Sequence, residues 1–177
     1  MPAHPTASDV AHQLLDAWNV RDIDAFIELL AEDVEWYDPG MPQPPARGRA
    51  AVRAFAESVL RAFPDFRYEI VPPICAAADG SRCAIVWRIS ATNLGPLQPP
   101  GYAPTGRRVS IDGVDVLDVR DGRITRILTA FDPIFAAEQL LGMRLRPVPG
   151  TWRARIAVAI QRFLALLARN RNSMSHH

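Results

Sequence analysis

The chain has 177 residues, 49% of them hydrophobic, with 20 basic and 19 acidic side chains. That length and apolar share suit one compact domain with a core of its own, and a net charge of +1 speaks against a chain built throughout to bind nucleic acid. All 20 basic residues are arginine, which excludes Schiff-base chemistry, pyridoxal phosphate attachment and a P-loop, because each needs a lysine.

The start "MPAHPTASDV" has neither the basic nor the apolar stretch of a signal peptide, and no run of about 20 apolar residues follows, so a cytoplasmic protein is expected. Cys75 and Cys83 flank the turn "AADGS" and can face each other across a hairpin; without an export signal they read as reduced thiols. The four histidines, His4, His12, His176 and His177, lie at or near the termini with no zinc spacing, so no metal is expected. The same scarcity leaves little from which to build a Ser/His or Cys/His pair.

In chain order, "SDVAHQLLDAW" places Val10, Leu14, Ala17 and Trp18 at a helical period. "DIDAFIELLAEDV" repeats the pattern with Asp22 as a cap. "VEWYD" is a short strand, and "PGMPQPPARG" a Pro/Gly loop without regular structure. "RAAVRAFAESVLRAF" is a third helix with Val52, Phe55, Val59 and Phe63 on one side. "FRYEIVPPICAA" and "RCAIVWRISATN" form a hairpin through Asp79-Gly80, and "NLGPLQPPGYAPTG" is a second long loop. "RRVSIDGVDVLDV" and "RITRILTAF" pair through "RDG". "FDPIFAAEQLLG" is a helix with Asp132 as cap, Pro133 in the first turn and Gly142 at its end. Helices first and an antiparallel sheet after them give an α+β fold, its curved sheet wrapped on the N-terminal helices to leave a conical cavity.

The strand "VSIDGVDVLDV" poses a question. Alternation puts Val109, Ile111, Gly113, Asp115, Leu117 and Val119 on one face, and Ser110, Asp112, Val114, Val116 and Asp118 on the other. Asp112 and Asp118 can be solvated, whereas Asp115 sits in an apolar row. One reading pairs it with an inward arginine such as Arg88 or with backbone amides, since buried charge must be paired or neutralised. The other makes it a desolvated acid with a raised pKa, ready to donate to an oxyanion. Asp38, before Pro39, is either a strand-end turn residue or a general base at a pocket mouth.

The order of elements, with "AEDVEWYDP", "RGRAAVRAF", "PTGRRV", "GVDVLDVRDGRI" and "FDP", resembles the nuclear-transport-factor-2-like superfamily over residues 8–142. "PTGRRV" and "GVDVLDVRDGRI" are most similar to SnoaL-like proteins, whose cyclases close polyketide rings without a cofactor. Against the related ketosteroid isomerases, the resemblance puts the catalytic base on Asp38 and the protonated oxyanion-hole acid on Asp115. The isomerase's oxyanion tyrosine maps near Leu14. The carboxylate that epoxide hydrolases and some cyclases carry on the last strand maps to Thr129, and a histidine frequent in SnoaL-like sequences maps to Asn93. These departures speak against steroid isomerisation and epoxide hydrolysis. Trp18, Trp36, Phe55, Phe63, Trp87 and Phe131 are core residues, some lining a cavity for an apolar substrate. Tyr37 or Tyr102 can supply a hydroxyl. The resemblance also implies a homodimer, paired through the sheet's outer face.

A linker at 143–150 leads to "TWRARIAVAIQRFLALLARNR", residues 151–171. There Trp152, Ile156, Ile160, Phe163 and Leu167 form an apolar stripe among arginines, a basic amphipathic helix. Residues 139–177 hold seven arginines and no acid. Such a helix packs on its own domain or a second subunit, lies on an anionic membrane surface, or docks a partner protein. The ending "NSMSHH" reads as disordered. Three functions stay open: an acid–base cyclase or isomerase of an apolar polyketide-like substrate with Asp38 and Asp115, a shape-driven cyclase of a polyene, and a non-catalytic small-molecule binding protein.

Overall fold

The computed structural model describes residues 4–98 and 101–174, and the side chains within them except at 153 and 166–174. Residues 1–142 form one compact unit and residues 143–177 another. The first unit contains α1 (Ala7–Val20), α2 (Ile23–Glu28), β1 (Leu30–Tyr37), β2 (Ala46–Arg47), α3 (Gly48–Ala62), β3 (Arg67–Ala76), β4 (Arg82–Thr92), β5 (Arg108–Arg120), β6 (Arg123–Phe131) and α4 (Pro133–Leu141). The second contains α5 (Trp152–Met174). Among the described residues no helix is long and apolar enough to cross a membrane.

The strands form one six-stranded sheet in the order β2-β1-β6-β5-β4-β3, antiparallel except where β1 runs parallel to β6. This is an α+β cone: α1 packs on β3 and β4, α3 on β1, and α4 on β5. Local chemistry sets the helix ends. Thr6 and Asp9 close a capping box on α1. Asp22 accepts from the Ala25 amide at 2.9 Å, and Asp132 from the Phe135 amide at 2.9 Å. Gly142 ends α4 at φ 65°, in the left-handed region that favours glycine. The core runs continuously through Val10 and Leu14 of α1, Phe26 of α2, Val52 of α3, and Ile85, Leu117 and Ile127 of the sheet.

Several sequence expectations are corrected. The second helix stops at Glu28, and Leu30 and Val34 belong to β1. Their spacing fits one helix face and equally one face of a strand. Here Leu30 pairs with Ile124, and a register shift follows before Glu35. The loop after Pro39 is not wholly irregular, since Ala46 and Arg47 pair with Trp36 and Glu35. Cys75 and Cys83 do not face each other. Their partners are Ala84 and Ala76, and Cys75 is exposed while Cys83 is buried. Arg88 points away from Asp115 and pairs with Asp112 on the outer face. In the second unit Thr151 caps α5 by accepting from the Ala154 amide at 3.3 Å. That helix continues through residues 172–174, read above as disordered. Residues 175–177 and the side chains of Leu167, Arg169 and Arg171 lie outside the described set.

Candidate active site

The inner face of the sheet and the helices packed on it enclose a cavity of about 310 Å³. Helices contribute Leu14, Trp18, Phe26, Phe55 and Phe63, and strands contribute Trp36, Tyr68, Trp87, Asp115, Thr129 and Phe131. Gly40 and Pro42 from one loop and Leu97 and Gln98 from the other stand at the rim. The aromatic rings pack edge-on in a chain: Trp36 lies 5.1 Å from Phe55 and 6.1 Å from Trp18, and Trp87 lies 5.9 Å from Tyr68. A size of about 300 Å³ or more and a carbon-rich wall with few polar groups are the usual properties of a small-molecule site. A larger open depression of about 790 Å³ near α1 and α2 is less suited. Its Arg49 and Arg123 donate to the backbone carbonyls of Leu30 and Glu28, and its polar side chains are exposed or half-buried.

Two carboxyl groups enter the cavity wall. Asp115 is 8% exposed, and burial pushes its pKa above the ordinary aspartate value. No cation pairs with it among the described residues. The Tyr68 hydroxyl donates to Asp115 Oδ2 at 2.6 Å, which favours the ionised form but does not offset burial. Thr129 and the Trp87 indole also lie near enough to favour ionisation, though neither reaches hydrogen-bonding geometry, and Asp115 Oδ1 has no partner among the described residues. Tyr68 is itself buried, and its pKa stands well above the usual phenol value, so it keeps its proton at neutral pH.

Asp38 follows β1 in the turn that opens the first rim loop. Its Oδ1 accepts from the Gly40 amide at 2.6 Å, a bond that favours the charged form. Burial outweighs that bond, the charge of Asp115 adds to it, and the pKa of Asp38 is pushed up to about 6. The site thus holds one carboxyl pushed up to about 6 beside a second that burial shifts toward its protonated form. This is the division of roles that acid–base catalysis uses. Among the described residues no group of three or more His, Cys, Asp or Glu is placed to hold a metal ion.

Residues 11–127 match the family described as the SnoaL-like domain. The chain belongs to this family. No curated protein matches it. Among solved structures, this SnoaL-like chain is 27% identical to IdmH of Streptomyces antibioticus, provisionally named a polyketide cyclase, with a TM-score of 0.63 over 77% of this chain and 98% of that one. It is 25% identical to SalBIII, described as an epoxide hydrolase/cyclase-like enzyme in pyran ring formation in salinomycin, with a TM-score of 0.58 over 71% of this chain and 89% of that one. A Pseudomonas putida protein, also provisionally named a polyketide cyclase, shares the fold at 23% identity with a TM-score of 0.66 over 76% of this chain and 98% of that one.

Of the candidates singled out in the sequence, the SnoaL-like cavity collects Asp38, Asp115, Leu14, Trp18, Trp36, Phe55, Phe63, Trp87, Thr129 and Phe131. It does not collect Asn93, Tyr37 or Tyr102. Asn93 is fully buried, but it accepts from the Thr105 amide and donates to the Gly95 carbonyl, both at 2.8 Å, and so staples the second rim loop. Tyr37 donates to Glu35 at 3.2 Å, under the Arg126 guanidinium. Tyr102 is 65% exposed. Tyr68, absent from the sequence candidates, supplies the hydroxyl instead. Its signal is the alternation of Phe66, just before β3, with Tyr68 and Ile70 in it. Asn19 at the end of α1 fixes it by hydrogen bonds in both directions with the Tyr68 backbone, at 2.8 and 2.9 Å.

Proposed function

We propose that the chain is a cofactor-independent cyclase or isomerase acting on an apolar, carbonyl-bearing molecule. The observation that supports this most is that two carboxyls, both raised by burial, share one carbon-walled cavity. Asp38, ionised above about pH 6, takes a proton from the carbon beside the carbonyl. The C–H electron pair becomes the new C=C bond, and the carbonyl π pair moves onto oxygen. Asp115, still protonated and held by Tyr68, donates a hydrogen bond to that developing oxyanion. The enolate C=C pair then forms a bond to a second carbonyl carbon as the first carbonyl re-forms, and the π pair of the second carbonyl moves onto its oxygen, which takes the proton that Asp38 received. Where a further C=C bond extends the enolate, Asp38 instead returns that proton to the remote carbon. The solved neighbours named as cyclases agree with this class of reaction.

The test uses 2-tetralone as a model ketone and follows exchange of its α-protons in D2O by NMR. The wild-type chain should exchange them faster than buffer, along a limb that rises with pH through about 6. Asp38→Asn should cut the rate by roughly 10²–10⁴-fold, and Asp115→Leu by roughly 10²-fold or more. Exchange that ignores both substitutions sinks the acid–base reading. One observation favours a second reading: Tyr68 is engaged by Asp115, and most of the remaining wall is hydrocarbon and aromatic. A site of that kind can also close a polyene by shape. Phe55→Ala and Phe131→Ala would then remove ring closure while both carboxylate variants keep it.

A further inference from the structure

One buried donor in the cavity has no place in the chemistry above. Trp87 is 1% exposed, it lines the cavity, and its indole Nε1–H has no hydrogen-bond partner among the described residues. Burying an N–H without an acceptor costs about 1–3 kcal/mol, so such groups call for an explanation. Asp115 Oδ1, in the same wall, is the other buried side-chain atom without a partner among the described residues. Tyr68 already donates to Oδ2, so the proton of a neutral Asp115 belongs on Oδ1. With that proton in place the pair is two donors, N–H and O–H, close to each other, and neither reaches an acceptor in hydrogen-bonding geometry among the described residues.

The sequence holds the indole in this place. Trp87 on β4 is paired with Gly113 on β5, and a Cβ at Gly113 would overlap the ring carbons Cζ2 and Cη2. The glycine is therefore a seat for the ring. Cζ2 is on the ring edge next to Nε1, and the next inward residue along β5 after Gly113 is Asp115. The N–H edge and the carboxyl thus belong to one stretch of wall.

We propose that the Trp87 indole N–H and the Asp115 carboxyl together receive one oxygen atom of the ligand, so that the cavity selects a planar apolar molecule by a single carbonyl or enolate oxygen. This rests on the acid role of Asp115 given above. A carbonyl oxygen has two lone pairs and accepts both donors, and an enolate oxygen accepts them more strongly. A hydrocarbon polyene offers neither and leaves both donors unsatisfied.

The test compares 2-naphthol with naphthalene, the same ring without the oxygen, as ligands of the full-length chain. The wild type should prefer 2-naphthol, and Trp87→Phe, which keeps a ring and loses the N–H, should reduce that preference roughly tenfold while naphthalene binds as before. Asp115→Leu should reduce it as well. In the 15N spectrum of the four tryptophan indoles, the Trp87 signal should move downfield with 2-naphthol and stay with naphthalene. That measurement on the wild type decides the question if Trp87→Phe fails to fold. A preference kept in Trp87→Phe but lost in Asp115→Leu overturns the indole's role and leaves the acid role standing. A preference kept in Asp115→Leu, or absent from the wild type, overturns both. A Trp87 signal that moves in ligand-free Asp115→Leu and ignores 2-naphthol marks an indole that serves only Asp115, and also overturns the proposal.

Discussion

The two faces of β5 carry the same residue type to opposite ends. On the outer face Asp112 meets the Arg88 guanidinium through two bonds at 2.7 and 3.0 Å, and those bonds hold its pKa below the usual aspartate value. On the same face Arg82 Nε donates to Asp118 Oδ1. On the inner face Asp115 has a tyrosine hydroxyl, no cation among the described residues, and a raised pKa. The outer face meets its charge with counter-charge in water, and on the inner face burial shifts the carboxyl toward its protonated form. A one-residue step along a strand separates the two solutions.

The sharpest way to break this comparison is to add a carboxyl to each face. Leu117 is fully buried and Val116 is half-buried on the opposite face. Leu117→Asp should cost more than about 4 kcal/mol and abolish cooperative folding, because no cavity or hydroxyl receives the new group. Val116→Asp should cost about 1 kcal/mol, the strand preference of valine plus some lost packing. Urea denaturation of the two variants checks this. Similar losses would mean that the inner face tolerates carboxyls generally and that position 115 is not special.

A smaller effect follows from Asp38. Its folded pKa, about 6, exceeds the ordinary aspartate value of 3.8, so between those values the native state binds the proton more tightly than the unfolded chain. Stability therefore falls as pH rises through that window, and the full deficit is present above about 6. Asp38→Asn removes the deficit. The variant should match the wild type near pH 3.5 and exceed it by about 1–2 kcal/mol at pH 7.5, a value reduced from the bare shift because the side chain is partly solvated. A gap independent of pH would show that Asp38 has an ordinary pKa.

What the sequence reveals follows the same division. Alternation along residues 109–119 separates Asp115 from Asp112 and Asp118, because strand geometry is local. The caps at Asp22 and Asp132 and the turn at Asp79-Gly80 are legible for the same reason. The Leu30–Val34 boundary is not, because a helix and a strand both accept that spacing. Tyr68 and Asn19 escape notice because their partners lie 47 and 49 residues away. Gly113 reads as a weak point in a strand until Trp87 is placed across from it. Asn93 resembles a site residue by position, yet its bonds close a loop. Chemistry that depends on one strand can be read in one dimension, and chemistry that depends on three strands cannot.

The smallest expected effect concerns the outer pair. Arg88→Gln removes the counter-charge of Asp112, but both side chains are more than half exposed, and water replaces the lost contact. The change in stability should lie near the error of a denaturation measurement, and raising the salt concentration should erase what remains. Arg88 and Trp87 are neighbours in β4 that point to opposite faces, so the same variant is also a control for the cavity. It should bind 2-naphthol as the wild type does. A clear loss of binding in Arg88→Gln would mean that charge on the outer face reaches the inner one through the sheet, and the separation of the two faces would fail as an account of why the pKa of Asp115 is raised.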